Sequence, residues 1–365
     1  MVITYNSVSD EFASGEKSRY LIQLENELDK SKGHRLTHIT YTPDDKAVHA
    51  DIISYGSTPA VQLALDKRFG QKFSPSALNT LIECPLDFYY RYILGLDEIA
   101  AVEESFEAST FGSKIHEVLD HIFRRNFLDE NIPLDDKLLQ SELKHIPKLL
   151  ESCYLEDELF RKSDLKYGYN KLAFDVSVRF IHQFLEQQIA EIRNSSHPIF
   201  IEKLEEVMWA EYEWNINGQP KSIRFEGIVD RIDRIGNCWR IIDYKSGKCD
   251  ETKVRLNKNI LSNDEFTKFL NDTKKRYARQ LLLYALMFRQ RYPEQHHFTA
   301  GIISMVNINN GLQNVHISGS DSDFITAEIL DAFEEELRLK IEELYQSDFV
   351  FSHDPRAEYC AHCNA

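Results

Sequence analysis

The hydrophobic pattern changes period along the chain. Up to residue 70, short apolar runs alternate with polar ones. YLIQLENEL has helical spacing, while HRLTHITYT and AVHADIIS read as strands or extended linkers. The pattern sharpens at FSPSALNTLIECPLDFYYRYILGL. Ser74 is placed to cap a helix that begins at Pro75 and buries Leu78, Leu81 and Ile82. Pro85 opens a second helical turn with a Phe-Tyr-Tyr cluster. FGSKIHEVLDHIFRRNF sets Ile115, Val118, Leu119 and Ile122 at helical spacing, and helical patterns continue over 134–193. From about residue 199 the period shortens. FIEKLEEVMWAEYEWNING reads as a strand ending at an Asn-Gly turn, SIRFEGIVDRID as a second, Gly236-Asn237 as a hairpin turn and CWRIIDYKSG as a third strand. A long amphipathic stretch, DEFTKFLNDTKKRYARQLLLYALMFRQRY, comes next. A strand, FTAGIISMVNI, and a helix, ITAEILDAFEEELRLKIEELYQ, follow it. This order predicts an α/β fold with a mixed central sheet.

Composition bounds this picture. A chain of 365 residues makes one large domain or two ordinary ones, and 42% apolar with 12% aromatic residues suffices for a core. The net charge of -16 argues against a dedicated nucleic-acid coat protein, which needs a positive face. It leaves room for an enzyme that meets nucleic acid through a local basic groove and metal ions. No apolar run reaches the roughly 18 residues of a membrane span. The N-terminus lacks the charged-then-apolar shape of a signal peptide. Six cysteines are too sparse for a disulfide frame. The expectation is a soluble, cytoplasmic protein.

The candidate chemistry lies in EGIVDRIDRIGNCWRIIDYKSGK. Asp230 and Asp243 fall near the ends of neighbouring strands joined by a tight turn, and antiparallel pairing can bring them within several ångströms. Converging carboxylates repel unless a cation joins them, and oxygen ligands suit Mg²⁺ or Mn²⁺. Lys245, two residues beyond Asp243, points to the same side of the strand. An ammonium there can orient or deprotonate a water, or stabilise a charged transition state. Gly227 would let backbone or substrate approach closely. The set suits metal-assisted phosphodiester hydrolysis. Asp-x-Lys alone is also an ordinary solvated strand edge, and a lone histidine on an apolar helix face is usually a core histidine. Glu205 and Glu206, on the preceding strand, are secondary candidates for the metal site. Asp233 reads as an ion-pair partner for Arg231 or Arg234.

The pieces gain weight together. GSKIHEVLD with His116, GIVDRID with Asp230, IIDYKSG with Asp243 and Lys245, and YARQLLLYALMF with Gln280 and Tyr284 follow one another in an order that resembles the PD-(D/E)xK nuclease superfamily, RecB-like exonuclease branch. The resemblance covers roughly residues 73–365. It implies a restriction-endonuclease-like core with a large helical insertion at about 120–198 and a catalytic sheet at about 199–306. It further implies His116, Asp230, Asp243 and the Tyr244 carbonyl as metal ligands, and Lys245 as the catalytic lysine. Gln280 and Tyr284, one helical turn apart, would face the active site or the DNA.

Cys84, before the nuclease pieces, and Cys360 with Cys363 at the C-terminus resemble the cysteines of an AddB-type nuclease domain, which hold a [4Fe–4S] cluster. The family pattern carries one more cysteine after the CxxC pair, and this chain stops at Ala365. Cys153, Cys238 and Cys249 read as structural thiols. Residues 1–72 resemble the edge of an inactivated helicase part, and the sequence contains no phosphate-binding G-x-x-x-x-G-K-[ST] loop. The resemblance therefore implies the C-terminal portion of a helicase-nuclease subunit that digests single-stranded DNA during double-strand-break processing. The rivals are a non-catalytic DNA-end-binding scaffold of the same fold and a stand-alone exonuclease of the CRISPR-associated type. Lys274, Lys275, Arg276 and Arg279 in KKRYARQ are the candidate phosphate-contacting strip.

Overall fold

The computed structural model describes residues 19–28, 53–96, 108–156 and 165–354. The chain divides into two units, Met1–Asp51 and Ile52–Ala365. Of the first, the described part is α1 (Arg19–Leu28), the helix expected at YLIQLENEL. The strand-like runs HRLTHITYT and AVHADI lie outside the described residues.

The second unit begins with β1 (Ser54–Gly56) and α2 (Pro59–Gln71), then α3 (Pro75–Glu83) and α4 (Pro85–Phe88). A helical layer follows: α5 (Ala108–Phe123), α6 (Asp136–Glu142), α7 (Ile146–Leu155) and α8 (Gly168–Asn194). The sheet strands are β2 (Ile199–Ile216), β3 (Gln219–Ile235) and β4 (Cys238–Lys245). Then come β5 (Arg255–Leu256), α9 (Asn263–Leu270), α10 (Arg276–Arg291), β6 (Phe298–Ser304), β7 (Leu312–Asn314), β8 (His316–Ile317), α11 (Ala327–Leu344) and β9 (Val350–Ser352).

The domain boundary falls earlier than the sequence suggests. The sequence predicts a division of 1–72 against 73–365, but the second unit starts at Ile52. The reason is pairing across the whole unit: β1 runs antiparallel to β9, and Lys221 Nζ reaches Asp66 on α2 at 2.7 Å.

The central sheet has the order β2-β3-β4-β6-β7, with β4 and β6 parallel and the other neighbours antiparallel. A parallel pair needs a crossover, and the segment carrying α9 and α10 supplies it. The two hairpins form where the turn chemistry places them. Asn217 and Gly218 have φ of 50° and 79°, and Gly236 has φ of 58°; this left-handed backbone favours Asn and Gly. The caps also match: the Ser74 side chain accepts from Ala77 N–H, with Pro75 opening the helix. The expected amphipathic stretch is broken at Asn271–Asp272, where Asp272 caps a short 3-10 turn and α10 starts afresh. The catalytic sheet also extends past residue 306, since β7 adds a fifth strand.

Two hydrophobic cores sandwich the sheet. One joins α2, α3, α10 and α11 to it through Phe73, Phe225, Leu282 and Phe333. The other joins the helical layer through Ile115, Leu119, Phe184 and Ile242. Each strand reads near-apolar where both faces are covered; all seven residues of β6 are buried.

Candidate active site

Two tight turns bring three carboxylates into line across the sheet. The Asn217–Gly218 turn makes the residue twelve before it face the residue twelve after it, which sets Glu205 opposite Asp230. The Gly236–Asn237 turn likewise sets Asp230, six before, opposite Asp243, six after. Both rungs are open. β2 and β3 pair Leu204 with Arg231 and Glu206 with Val229, but the rung between is unpaired, and there Glu205 has φ of 48°. The β3–β4 ladder ends at Arg231–Ile242, one rung short. Like charges directly opposite one another destabilise a sheet, and the backbone opens where they meet. The left-handed Glu205 costs about 1–3 kcal/mol, a strain typical of functional sites.

The open rungs are filled by side chains. Tyr244 N–H donates to Asp230 Oδ2 at 2.6 Å, so a carboxylate takes the place of a backbone acceptor. His116, carried on α5, places Nδ1 3.4 Å from Asp230 Oδ1 and its ring edge-on to Tyr244. Asp243 is 2% exposed. Gln280 Nε2, from α10, donates to its Oδ1 at 2.8 Å and to the Tyr284 hydroxyl at 3.0 Å. Lys245 Nζ lies 2.8 Å from Asp243 Oδ2, an ion pair whose angles fall short of a hydrogen bond. Gly227 makes room for Tyr284 and Pro75, not for backbone or substrate. A Cβ there would stand 2.9 Å from Tyr284 Cε1 and 3.1 Å from Pro75 Cδ.

The electrostatics follow from crowding. Burial, with the Asp230 charge adding to it and Lys245 opposing, pushes Asp243 up to about 6. Burial and then Asp230 push Glu205 up to about 7, although its side chain opens to solvent. Burial alone would depress His116, yet Asp230, Asp243 and Glu205 outweigh it and the net shift is upward. Lys245 follows the same logic: burial lowers it, Asp243 and Asp230 raise it further, and it stays an ammonium.

His116, Glu205 and Asp230 each bring a ligand atom to within 4.8 Å of the others. One imidazole and two carboxylates form a donor set fit for a hard divalent cation. Asp243 stands one rung outside this cluster, with its oxygens engaged by Gln280 and Lys245. Glu205, a secondary candidate from sequence, is thus drawn into the centre, while Glu206 is not. The twelve-residue offset across the Asn-Gly turn is the signal that marks Glu205.

The basic strip does not survive folding intact. Arg279 is fully buried; its guanidinium donates to Asn79 Oδ1 at 2.9 Å and to the carbonyls of Leu270 and Asp272. It staples α10 to α3 and to the end of α9 and cannot reach a phosphate. Lys275 Nζ donates to the Thr252 and Arg255 carbonyls at 2.6 and 2.8 Å. Lys274 and Arg276 remain exposed. Asp233 pairs with Arg231 as expected, and with Arg240; Arg234 goes instead to Glu202.

Among the cysteines, Cys84 is buried, with Sγ 3.6 Å from His353 Nδ1. Cys360 and Cys363 lie outside the described residues. Cys153 and Cys249 are buried and Cys238 half-buried, all three as free thiols. Among the described residues no helix is long and apolar enough to cross a membrane.

An uncharacterized protein of Rickettsia bellii (strain RML369-C) is 28% identical over 202 residues, which is 54% of this chain and 22% of that protein. A second, from Rickettsia conorii (strain ATCC VR-613 / Malish 7), is 30% identical over 182 residues, 49% of this chain and 19% of that protein. The matched region thus spans about a fifth of the length of these relatives. A solved "Putative exonuclease" from Eubacterium rectale aligns with a TM-score of 0.41 at 12% identity, covering 82% of this chain and 89% of that one. Residues 72–365 match the PD-(D/E)XK nuclease superfamily, and the chain belongs to it.

Proposed function

We propose that this chain is a divalent-metal-dependent DNA exonuclease that digests single-stranded ends in double-strand-break processing, as the cytoplasmic nuclease part of an AddB-like helicase-nuclease. The observation that carries the catalytic reading is the row Glu205–Asp230–Asp243, with His116 above it and Lys245 beside it. Mg²⁺ or Mn²⁺, when held by His116, Glu205, Asp230 and Asp243 with the Tyr244 carbonyl, supplies an acidified water and neutralises charge on the phosphate. The Lys245 ammonium faces the same point and offsets negative charge developing on the scissile phosphate. Gln280 holds Asp243 in place, and Tyr284 holds Gln280. His116 presents its imidazole to Asp230.

Single-stranded substrate is favoured by what lies beside the row. Two rungs from Glu205 and Asp230, the pair Val207 and Ile228 is 53% and 48% exposed. Two rungs further, Trp209 is 37% exposed with the Arg224 guanidinium 4.8 Å over its ring. An apolar and aromatic surface with a stacked arginine suits unpaired bases. Lys274 and Arg276 are the remaining candidates for phosphate contact. The helicase partner rests on the resemblance of residues 1–72. The iron-sulfur cluster rests on Cys84, Cys360 and Cys363, and the position of Cys84 beside His353, seven residues before Cys360, supports it.

Labelled single- and double-stranded DNA, incubated with and without Mg²⁺, tests the reading. Asp243→Ala and Lys245→Ala should each abolish degradation while leaving DNA binding. Full activity in both variants overturns the assignment, and binding without cleavage by the unsubstituted chain makes it a scaffold.

A further inference from the structure

Away from the nuclease site, α5 and α7 bring together a different donor set. Glu117 and His121 are one helical turn apart on α5, so their side chains share a face. Cys153 comes from α7, and one ligand atom from each of the three lies within 4.8 Å of the others. Cys153 is 1% exposed and in no disulfide, Glu117 is half-buried and His121 is exposed. The cluster therefore runs from the core to the surface. His116, next to Glu117 in sequence, belongs to the other cluster with Glu205 and Asp230.

We propose that Glu117, His121 and Cys153 form a second metal site, for Zn²⁺, that clips α5 to α7. The donors decide the metal. Thiolate sulfur, imidazole nitrogen and one carboxylate oxygen match zinc, whereas the oxygen-rich nuclease row matches Mg²⁺ or Mn²⁺. Three protein ligands leave the fourth tetrahedral position to water. Ligand atoms around a tetrahedral zinc stand roughly 3.3–3.8 Å apart given its bond lengths, so from separations within 4.8 Å the cluster closes by about 1.5 Å at most. Glu117 also pairs with Lys114 at 3.0 Å. A carboxylate has two oxygens, and one stays available to the cation. On binding, the Cys153 thiol gives its proton to solvent and its sulfur forms the metal bond; no electron changes hands. The clip would hold the helix that carries His116, so zinc would steady the nuclease site without entering it.

Cobalt(II) is the probe, because thiolate ligation gives it a charge-transfer absorption in the near ultraviolet. The full chain is prepared as Asp230→Asn with Cys360→Ser and Cys363→Ser, which silences the nuclease row and the CxxC pair. One equivalent of cobalt should bind with the thiolate band, and Zn²⁺ should bleach it. Cys153→Ser should remove the band, and His121→Ala should weaken cobalt binding by about tenfold or more. No band, or a band that survives Cys153→Ser, overturns the proposal. Should Cys153→Ser fail to fold, the exposed His121 decides the question: unchanged cobalt affinity in His121→Ala overturns it as well.

Discussion

Asp233→Ala probes what holds the frame of the active site. Asp233 and Arg231 are both fully buried and joined by an ion pair. Asp233 also accepts from Arg240 Nε at 2.6 Å and Nη2 at 2.8 Å. Arg231 reaches Gln188 Oε1 on α8 at 2.7 Å, and its guanidinium stacks 5.0 Å over Phe123. Arg240 continues to Glu191, also on α8. One buried carboxylate therefore serves two guanidinium groups and fastens β3 and β4 to α8, next to Asp230. Removing it leaves two like charges buried without it, which costs about 3–5 kcal/mol. That is a large share of the roughly 5–15 kcal/mol that holds a domain folded. Burial alone would raise Asp233, but Arg231 and Arg240 reverse this and hold it below the usual carboxylate range. A depressed pKa gives stability that is present in full above the unfolded value of about 3.9 and is lost as pH falls through the folded one. Urea unfolding followed by far-ultraviolet circular dichroism should thus show the midpoint reduced by about 1–2 M at neutral pH. The gap between the two proteins should persist down to about pH 4 and shrink only below it. A loss under about 1 kcal/mol at neutral pH, or a gap already closed by about pH 5, refutes the reasoning.

Cation affinity should rise with pH, because Asp243 and Glu205 are pushed up to about 6 and about 7 and must shed protons to bind. By calorimetry, proton competition at Asp243 alone should weaken Mn²⁺ binding about tenfold at pH 5 relative to pH 8, about 1.4 kcal/mol; a flat profile contradicts this. Gly227→Val drives a Cβ into Tyr284 and Pro75 and should cost about 1–3 kcal/mol. By moving Tyr284 and hence Gln280, it should lower nuclease turnover more than DNA affinity, and an unaltered turnover number would count against the Tyr284–Gln280–Asp243 chain. Arg279→Met should lower the melting temperature with no change in the salt dependence of DNA binding. Lys274→Ala with Arg276→Ala should do the reverse, reducing the salt slope by about one for each phosphate no longer neutralised.

The hairpins are the most legible part of the fold. Asn217-Gly218 and Gly236-Asn237 are local signals, and two-residue turns leave only one register. His116, Asp230, Asp243, Lys245, Gln280 and Tyr284 stand out from their motifs, and the structure brings all six side chains to one place. The helix cap at Ser74 forms as its sequence suggests. The break at Asn271–Asp272 is hidden inside a continuous amphipathic pattern, because helical periodicity survives a short 3-10 turn.

What escapes the sequence is decided by residues far along the chain. Arg279 reads as part of a basic strip, since composition counts charges and not directions. On α10 it falls among Ala278, Leu282 and Leu283 and points to Asn79, two hundred residues earlier. Asp233 reads as an ion-pair partner for Arg231 or Arg234, and nothing local reveals that it is fully buried or that its arginine partners reach Gln188 and Glu191 on α8. Glu205 shows the deeper reason. Its position opposite Asp230 follows from the turn, but its left-handed backbone does not. Local preference disfavours that conformation, and it occurs where Glu205 faces Asp230 across an open rung between two paired ones. The residue that breaks the local rule is the one that turns two carboxylates into a row of three. The departure from ideal strand geometry therefore supports the cation site proposed for this row.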